Sequence, residues 1–222
     1  MSVRRHCPLV HYTARVAGSR AEKKEQTRQA LLDTTIDLVD DRSFGSISLR
    51  EVSRGAGIVP TAFYRHFASM EDLGVTLVED AMRMLRGALR EARRDLAGRG
   101  MPTARDSLDI LLRKVRTDEK QFRFLVREQH GGVAEVRRAI GTELRLLSRE
   151  LAIDLARTPA LVSWEAEDLE VAADLIVTIM MTAVAELLDG DGRESTERTL
   201  VARAEKQLVM VFLGMSGWRP SE

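Results

Sequence analysis

Cysteine is almost absent from these 222 residues: Cys7 stands alone, which excludes an intramolecular disulfide and a cysteine-built metal centre. A reducing, cytoplasmic setting fits. Proline is scarce and aromatics are 5% of residues, while Ala, Leu, Arg and Glu abound; this is the composition of a soluble globular chain rich in helix formers. Long apolar runs are also missing. The best, "AADLIVTIMMTAVAELL", is broken by Asp174, falls short of the roughly 18 to 20 residues a bilayer needs, and reads as a buried helix, so no membrane partner is expected. The opening "MSVRRHCPLVHYTARVAGS" has no apolar core for a signal peptide, and residues 1–19 are expected to be a flexible basic tail. Catalytic constellations are lacking too. His6, His11, His66 and His130 are scattered, and there is no H-E-x-x-H, G-x-x-x-x-G-K or G-x-S-x-G. Neither an enzyme nor a metal or other cofactor is indicated.

Net charge is likewise zero, but the average hides an asymmetry. Met1 to Phe67 holds eleven basic and seven acidic residues, a net +4 that the remainder balances with −4. A basic end on a neutral chain suits a nucleic-acid partner.

Hydrophobic periodicity is helical nearly throughout, with no sustained period-two alternation, which predicts an all-α protein. A first helix is expected over Arg20–Asp41, with Leu31, Thr35, Leu38 and Val39 as its apolar stripe. Ser48 and Glu51 form an S-x-x-E capping box before a short helix, Leu49–Arg54. Gly55-Ala56-Gly57 then makes a turn, and Pro60 suits the first turn of a third helix. Ser69 and Asp72 cap a long fourth helix that Gly98 to Pro102 should stop. Five more helices follow: Thr103–Arg116, Lys120–Gln129, Val133–Ala156, Trp164–Leu188 and Ser195–Gly217. The domains are therefore 20–67, a three-helix unit, and 68–222, a helical regulatory and dimerisation domain whose segment 69–97 is the connecting helix.

Two short helices about a glycine turn have the proportions of a helix-turn-helix, whose second helix enters the DNA major groove. Phe63 and Phe67, with Leu49, Val52, Ile58 and Val59, are expected in the small core that sets the angle between them. Thr61, Ala62 and Arg65 can reach base edges, Arg through guanine O6 and N7 and the methyls through thymine. Tyr64 and His66 are placed as phosphate donors, as are Arg20, Lys23, Lys24, Arg28 and Arg50, with Ser48 and Pro60 at the helix starts.

The string "SLREVSRGAGIVPTAFYRHFASMEDL" resembles the signature of the TetR family of bacterial transcription regulators at Ser48, Val52, Ser53, Ala56, Gly57, Ile58, Tyr64, His66, Phe67 and Leu73. Val59 departs from it, standing where the family has a small polar cap, and Met70-Glu71 replaces a phosphate-reaching lysine. A narrower likeness, which continues at Phe122, Arg123, Leu125, Arg127 and Glu128, is to the FabR and DesT branch. That resemblance implies a repressor of fatty-acid or lipid genes sensing long-chain acyl-CoA; a regulator of efflux or catabolic genes with another small hydrophobic ligand is the alternative.

In the second domain Met84, Leu108, Leu111, Leu112, Phe122, Leu125, Met180 and Val184 are candidates for a ligand cavity, with plain core packing the competing reading. Arg123 and Arg127 stand one turn apart, where they can meet an anionic head group or pair with Glu119 or Glu128. Leu175, Ile179, Ala183 and Leu187, then Leu200, Ala204, Leu208, Val211 and Phe212, suit a two-fold four-helix interface. The expected state is a homodimer on double-stranded operator DNA, with the fourth helix as the lever between ligand and DNA.

Overall fold

A computed structural model describes residues 9–96, 104–158, 161, 164–190 and 192–217. Those residues form nine α-helices and no strand. The first, α1, spans Leu9–Leu38. It begins well before the expected Arg20, with no proline between Leu9 and Arg20 to stop it. Residues 9–19 thus extend α1 instead of standing apart as a tail; residues 1–8 lie outside the described ones. The expected stop at Gly98 to Pro102 falls outside them as well.

Leu31, Leu32, Thr35, Ile36 and Val39 bury the inner face of α1, where the Thr35 hydroxyl donates to the Leu31 carbonyl at 2.7 Å. A 3-10 turn, Phe44–Ser46, leads to α2, Leu49–Gly55. The Ser48 hydroxyl accepts from the Glu51 N–H at 3.3 Å and the Glu51 carboxylate accepts from the Ser48 N–H at 2.9 Å, which closes the capping box. Gly57 has φ +71°, a left-handed conformation that releases the chain toward α3, Pro60–Phe63.

Helix α4 (Met70–Leu96) starts on the second cap: the Asp72 N–H donates to Ser69 Oγ at 3.2 Å and the Ala68 N–H to Asp72 Oδ2 at 2.8 Å. It is followed by α5 (Ala104–Thr117), α6 (Glu119–Glu128), α7 (Ala134–Ala156), α8 (Ala166–Asp189) and α9 (Glu194–Gly217). One apolar cluster runs unbroken from the α1–α3 headpiece through α4, α6 and the start of α7, joining Leu31, Phe63, Leu73, Phe124 and Val136. A second fills the body between α5, α7, α8 and α9. By length and composition α8 would cross a membrane, against the expectation that no run comes near this. It packs instead against α7 and α9, as the core helix of the body.

Candidate nucleic-acid interface

The headpiece sorts its aromatic rings as periodicity demands. Phe63 and Phe67 are buried with centroids 5.7 Å apart, while Tyr64 projects to solvent and touches Phe63 edge-on. Val52 joins them in the core, with Leu49 and Ile58 half-buried. Val59 does not. It is 64% exposed, a correction to its expected core role, because the residue before Pro60 is extended (φ −76°, ψ 146°) and turns its side chain outward at the N-cap. No side chain caps α3, so Pro60 alone opens that helix.

Lys24, Ser48, Arg50, Pro60, Thr61, Tyr64 and Arg65 are exposed, and Arg28, Ala62 and His66 half-buried; none lies in the core. The Arg28 guanidinium sits 4.6 Å above the Phe67 ring, which joins α1 to the turn that follows α3. Burial holds the His66 imidazole below its ordinary pKa, and Lys24, Arg28 and Arg65 push it further down. Its Nδ1 is buried without a hydrogen-bond partner, as is Arg28 Nη1. Of Arg20, Lys23, Lys24, Arg28, Arg42, Arg50, Arg54 and Arg65, only Arg42 meets a carboxylate among the described residues, that of Glu51 at 3.1 Å. Together with the Ser48 N–H and hydroxyl, Arg42 holds the Glu51 carboxyl at a pKa of about 2.

The remaining cations, with no carboxylate in ion-pair reach among the described residues, are open to phosphate oxygens. Arg54 joins them unforeseen. A mid-motif arginine is as easily read as a solvated surface charge, and only its lack of a carboxylate partner marks it out.

The ligand candidates divide. Leu108 and Leu112 lie in the body cluster, Leu111, Phe122, Leu125 and Val184 in the other, and half-buried Met180 touches both. Met84 leaves the group: on α4 the inward positions go to Met82 and Leu85, and Met84 lies over an outer groove shared with Arg28, Asp33 and Asp80. Arg123 and Arg127 are both taken up by other protein groups, Arg123 in part by the Leu188 carbonyl at 3.3 Å. Arg123 pairs with Glu119, as one of its two expected alternatives had it, and also with Asp40; Arg127 donates only to backbone carbonyls near the end of α1.

The dimer candidates divide in the same way. Ala183, Leu200, Ala204 and Leu208 are buried within one protomer, where they pack α8 against α9. That corrects their expected place at a subunit interface. Leu175 is exposed, and Ile179, Leu187, Val211 and Phe212 are half-buried. The large apolar side chains exposed on α8 and α9 are Val171, Leu175, Val209, Met210 and Leu213, and Met210 is 62% exposed. A groove between the two helices, lined by Trp164, Val171, Leu175 and Val211, opens there. Spacing at i, i+4 marks an inner and an outer stripe on such helices and does not tell them apart.

Comparison with known proteins matches the pattern of the family described as "Bacterial regulatory proteins, tetR family" to residues 31–74 and that of the "Tetracyclin repressor-like, C-terminal domain" to residues 103–215. Among solved structures, a TetR-family transcriptional regulator from Streptomyces coelicolor is similar over 86% of this chain and 97% of its own, at 18% identity and a TM-score of 0.62. The fatty acid degradation regulator FadR from Bacillus halodurans aligns over 88% and 97% at 15% identity, TM-score 0.64. FadR from Bacillus subtilis, solved in complex with stearoyl-CoA, aligns over 86% and 99% at 17% identity, TM-score 0.62.

Proposed function

The chain belongs to the TetR family of bacterial regulatory proteins, and from that premise we propose that it is a homodimeric, cytoplasmic transcriptional repressor released from or driven onto its operator by a small hydrophobic ligand. The observation that carries the DNA-binding part is the set of cations without carboxylate partners around α3. Thr61, Ala62 and Arg65 read bases; Lys24, Arg28, Arg50, Tyr64 and His66 hold phosphates. Two copies joined through the outer face of α8 and α9 would present their α3 helices to successive major grooves, about 34 to 36 Å apart. The exposure of Val171, Leu175 and Met210 in the single chain supports that pairing, since exposed apolar side chains close together mark an interface.

For the ligand we favour a long-chain acyl-CoA and lipid genes as targets. The FR-L-RE resemblance and the likeness in fold to the stearoyl-CoA complex support it. A second reading, an uncharged hydrophobic ligand controlling efflux or catabolic genes, draws on a different observation: Leu108, Leu111, Leu112, Phe122, Leu125 and Val184 are buried, and Arg123 and Arg127 are already engaged by carboxylates and backbone carbonyls.

Selection of bound duplexes from a random pool tests the first part. One enriched palindrome is expected, with affinity falling steeply between about 50 and 200 mM salt. No enriched site would sink it. Titration of that complex with acyl-CoAs of differing saturation then separates the ligand readings, because the second predicts no response to any of them.

A further inference from the structure

Helix α1 ends badly by its own sequence. Asp37, Asp40 and Asp41 crowd its C-terminal end and no basic residue lies in its last turn, so the negative pole of the helix meets three more negative charges. The carbonyls there also need donors. Both deficits are met from α6. Lys120 Nζ lies 2.7 Å from Asp37 Oδ1 and Arg123 Nε lies 3.4 Å from Asp40 Oδ1. Arg127 donates through Nη1 to the carbonyls of Val39 at 2.6 Å and Arg42 at 3.0 Å, and through Nη2 to that of Asp40 at 3.0 Å.

The next residue continues the grip. Glu128 is 1% exposed, and its Oε1 accepts from the Phe44 N–H at 2.9 Å, at the entry to the 3-10 turn before α2. Its Oε2 is buried with no hydrogen-bond partner. Gly131 closes over that carboxylate so tightly that a Cβ would lie 2.0 Å from Oε2. The Phe44 and Phe124 rings meet edge-on, 6.0 Å apart. One face of α6, from Lys120 to Glu128, therefore holds the whole α1–α2 turn.

The headpiece is thus joined to the body covalently through α4 and, beside the apolar cluster they share, by a polar attachment at this turn. One attachment alone leaves a hinge; two define an angle. We propose that Arg127 and Glu128 are the positioning residues of this joint, carrying the position of α6 to the α1–α2 turn and so setting the angle at which the headpiece presents α3. The polar half of the FR-L-RE stretch then serves the joint and not a ligand head group. The inference rests on the DNA-binding reading only for its consequence, since the joint itself is a matter of geometry.

The test measures that geometry directly. In full-length protein with Cys7→Ser, spin labels at Arg54→Cys on α2 and Arg149→Cys on α7, both exposed, report the headpiece–body distance by pulsed electron resonance after dilution with unlabelled chain. A single narrow distribution is expected. Arg127→Ala and Glu128→Leu should each at least double its width, while Glu128→Gln, whose amide oxygen still accepts from the Phe44 N–H, should leave it narrow. Should Arg127→Ala fail to fold by circular dichroism, Arg127→Lys carries the same expectation, because one ammonium cannot serve three carbonyls. Unchanged widths in the Arg127 and Glu128→Leu variants overturn the joint, and equal broadening by Glu128→Gln and Glu128→Leu overturns the role of Glu128. On the selected operator, Arg127→Ala should lower affinity about tenfold with the salt slope unchanged, since no phosphate contact is removed. The distances are read without DNA, so failure to select an operator would count against the proposed function and leave the joint standing.

Discussion

Seven of the eight basic side chains described between Arg20 and Arg65 meet no carboxylate, whereas from Arg83 to Arg203 the body pairs Arg86, Arg105, Lys114, Arg116, Lys120, Arg123, Arg138 and others with acids. The two regions draw on the same residue types and differ in how the fold disposes of them. Charges neutralised in pairs project no field and, on the surface, add little stability. Charges left open raise the local potential that attracts a polyanion. A chain of zero net charge can therefore still carry open cations at one end, where residues 1–67 hold a net +4.

Breaking the proposed pairing of two copies through α8 and α9 should have the largest effect. Val171→Glu with Met210→Glu places charges on the outer face of α8 and α9; sedimentation should show a monomer, and operator affinity should fall on the order of 10³-fold with the loss of two-site attachment. Next comes an ion pair that is structural. Arg86 bonds Glu143 with both side chains mostly buried, so Arg86→Met, which strands that carboxylate, should cost about 3 kcal/mol in urea unfolding. An equal cost from Arg105→Ala, whose pair is half exposed, would blur the distinction.

In the headpiece, Lys24→Ala and Arg50→Ala should each lower the slope of log affinity against log salt by about 0.9 and weaken all sequences alike. Arg203→Ala in the body should change neither. Smaller still is the effect of pH through His66. Its depressed pKa leaves it mainly neutral at pH 7, and a phosphate alongside would raise that pKa, so the complex takes up a proton. Operator affinity should rise as pH falls from about 8 to 6, by less than tenfold, and His66→Gln should flatten the profile. In the free protein the sign is opposite: the stability tied to the neutral imidazole is present above the unfolded pKa of about 6.5 and is lost as pH falls through it. The smallest change is a gain. Val59→Ser supplies the missing cap of α3 and should add about 1 kcal/mol, read as a raised Tm.

Legibility followed the range of the interaction. Ser48 with Glu51 and Ser69 with Asp72 could be read from the chain because each cap closes within four residues. The separation of Phe63 and Phe67 from Tyr64 followed from helical period. Val59 misled because the extended backbone before a proline breaks that period. Ala183, Leu200, Ala204 and Leu208 misled because α8 and α9 are apolar on two sides, and pattern does not say which side meets the protomer's own core. Arg127 and Glu128 lay beyond reach altogether, since their partners are 84 to 88 residues away.

The sequence by itself determined the all-helical class, the helix-turn-helix with its glycine turn and caps, and the basic bias of the N-terminal third, all of which depend on neighbours within a few turns. Tertiary structure alone decided which cations stay open, which apolar stripe faces outward, and that α6 completes the end of α1. Those outcomes depend on which helices come to lie side by side, and a pairing between distant segments leaves no periodic trace in either of them.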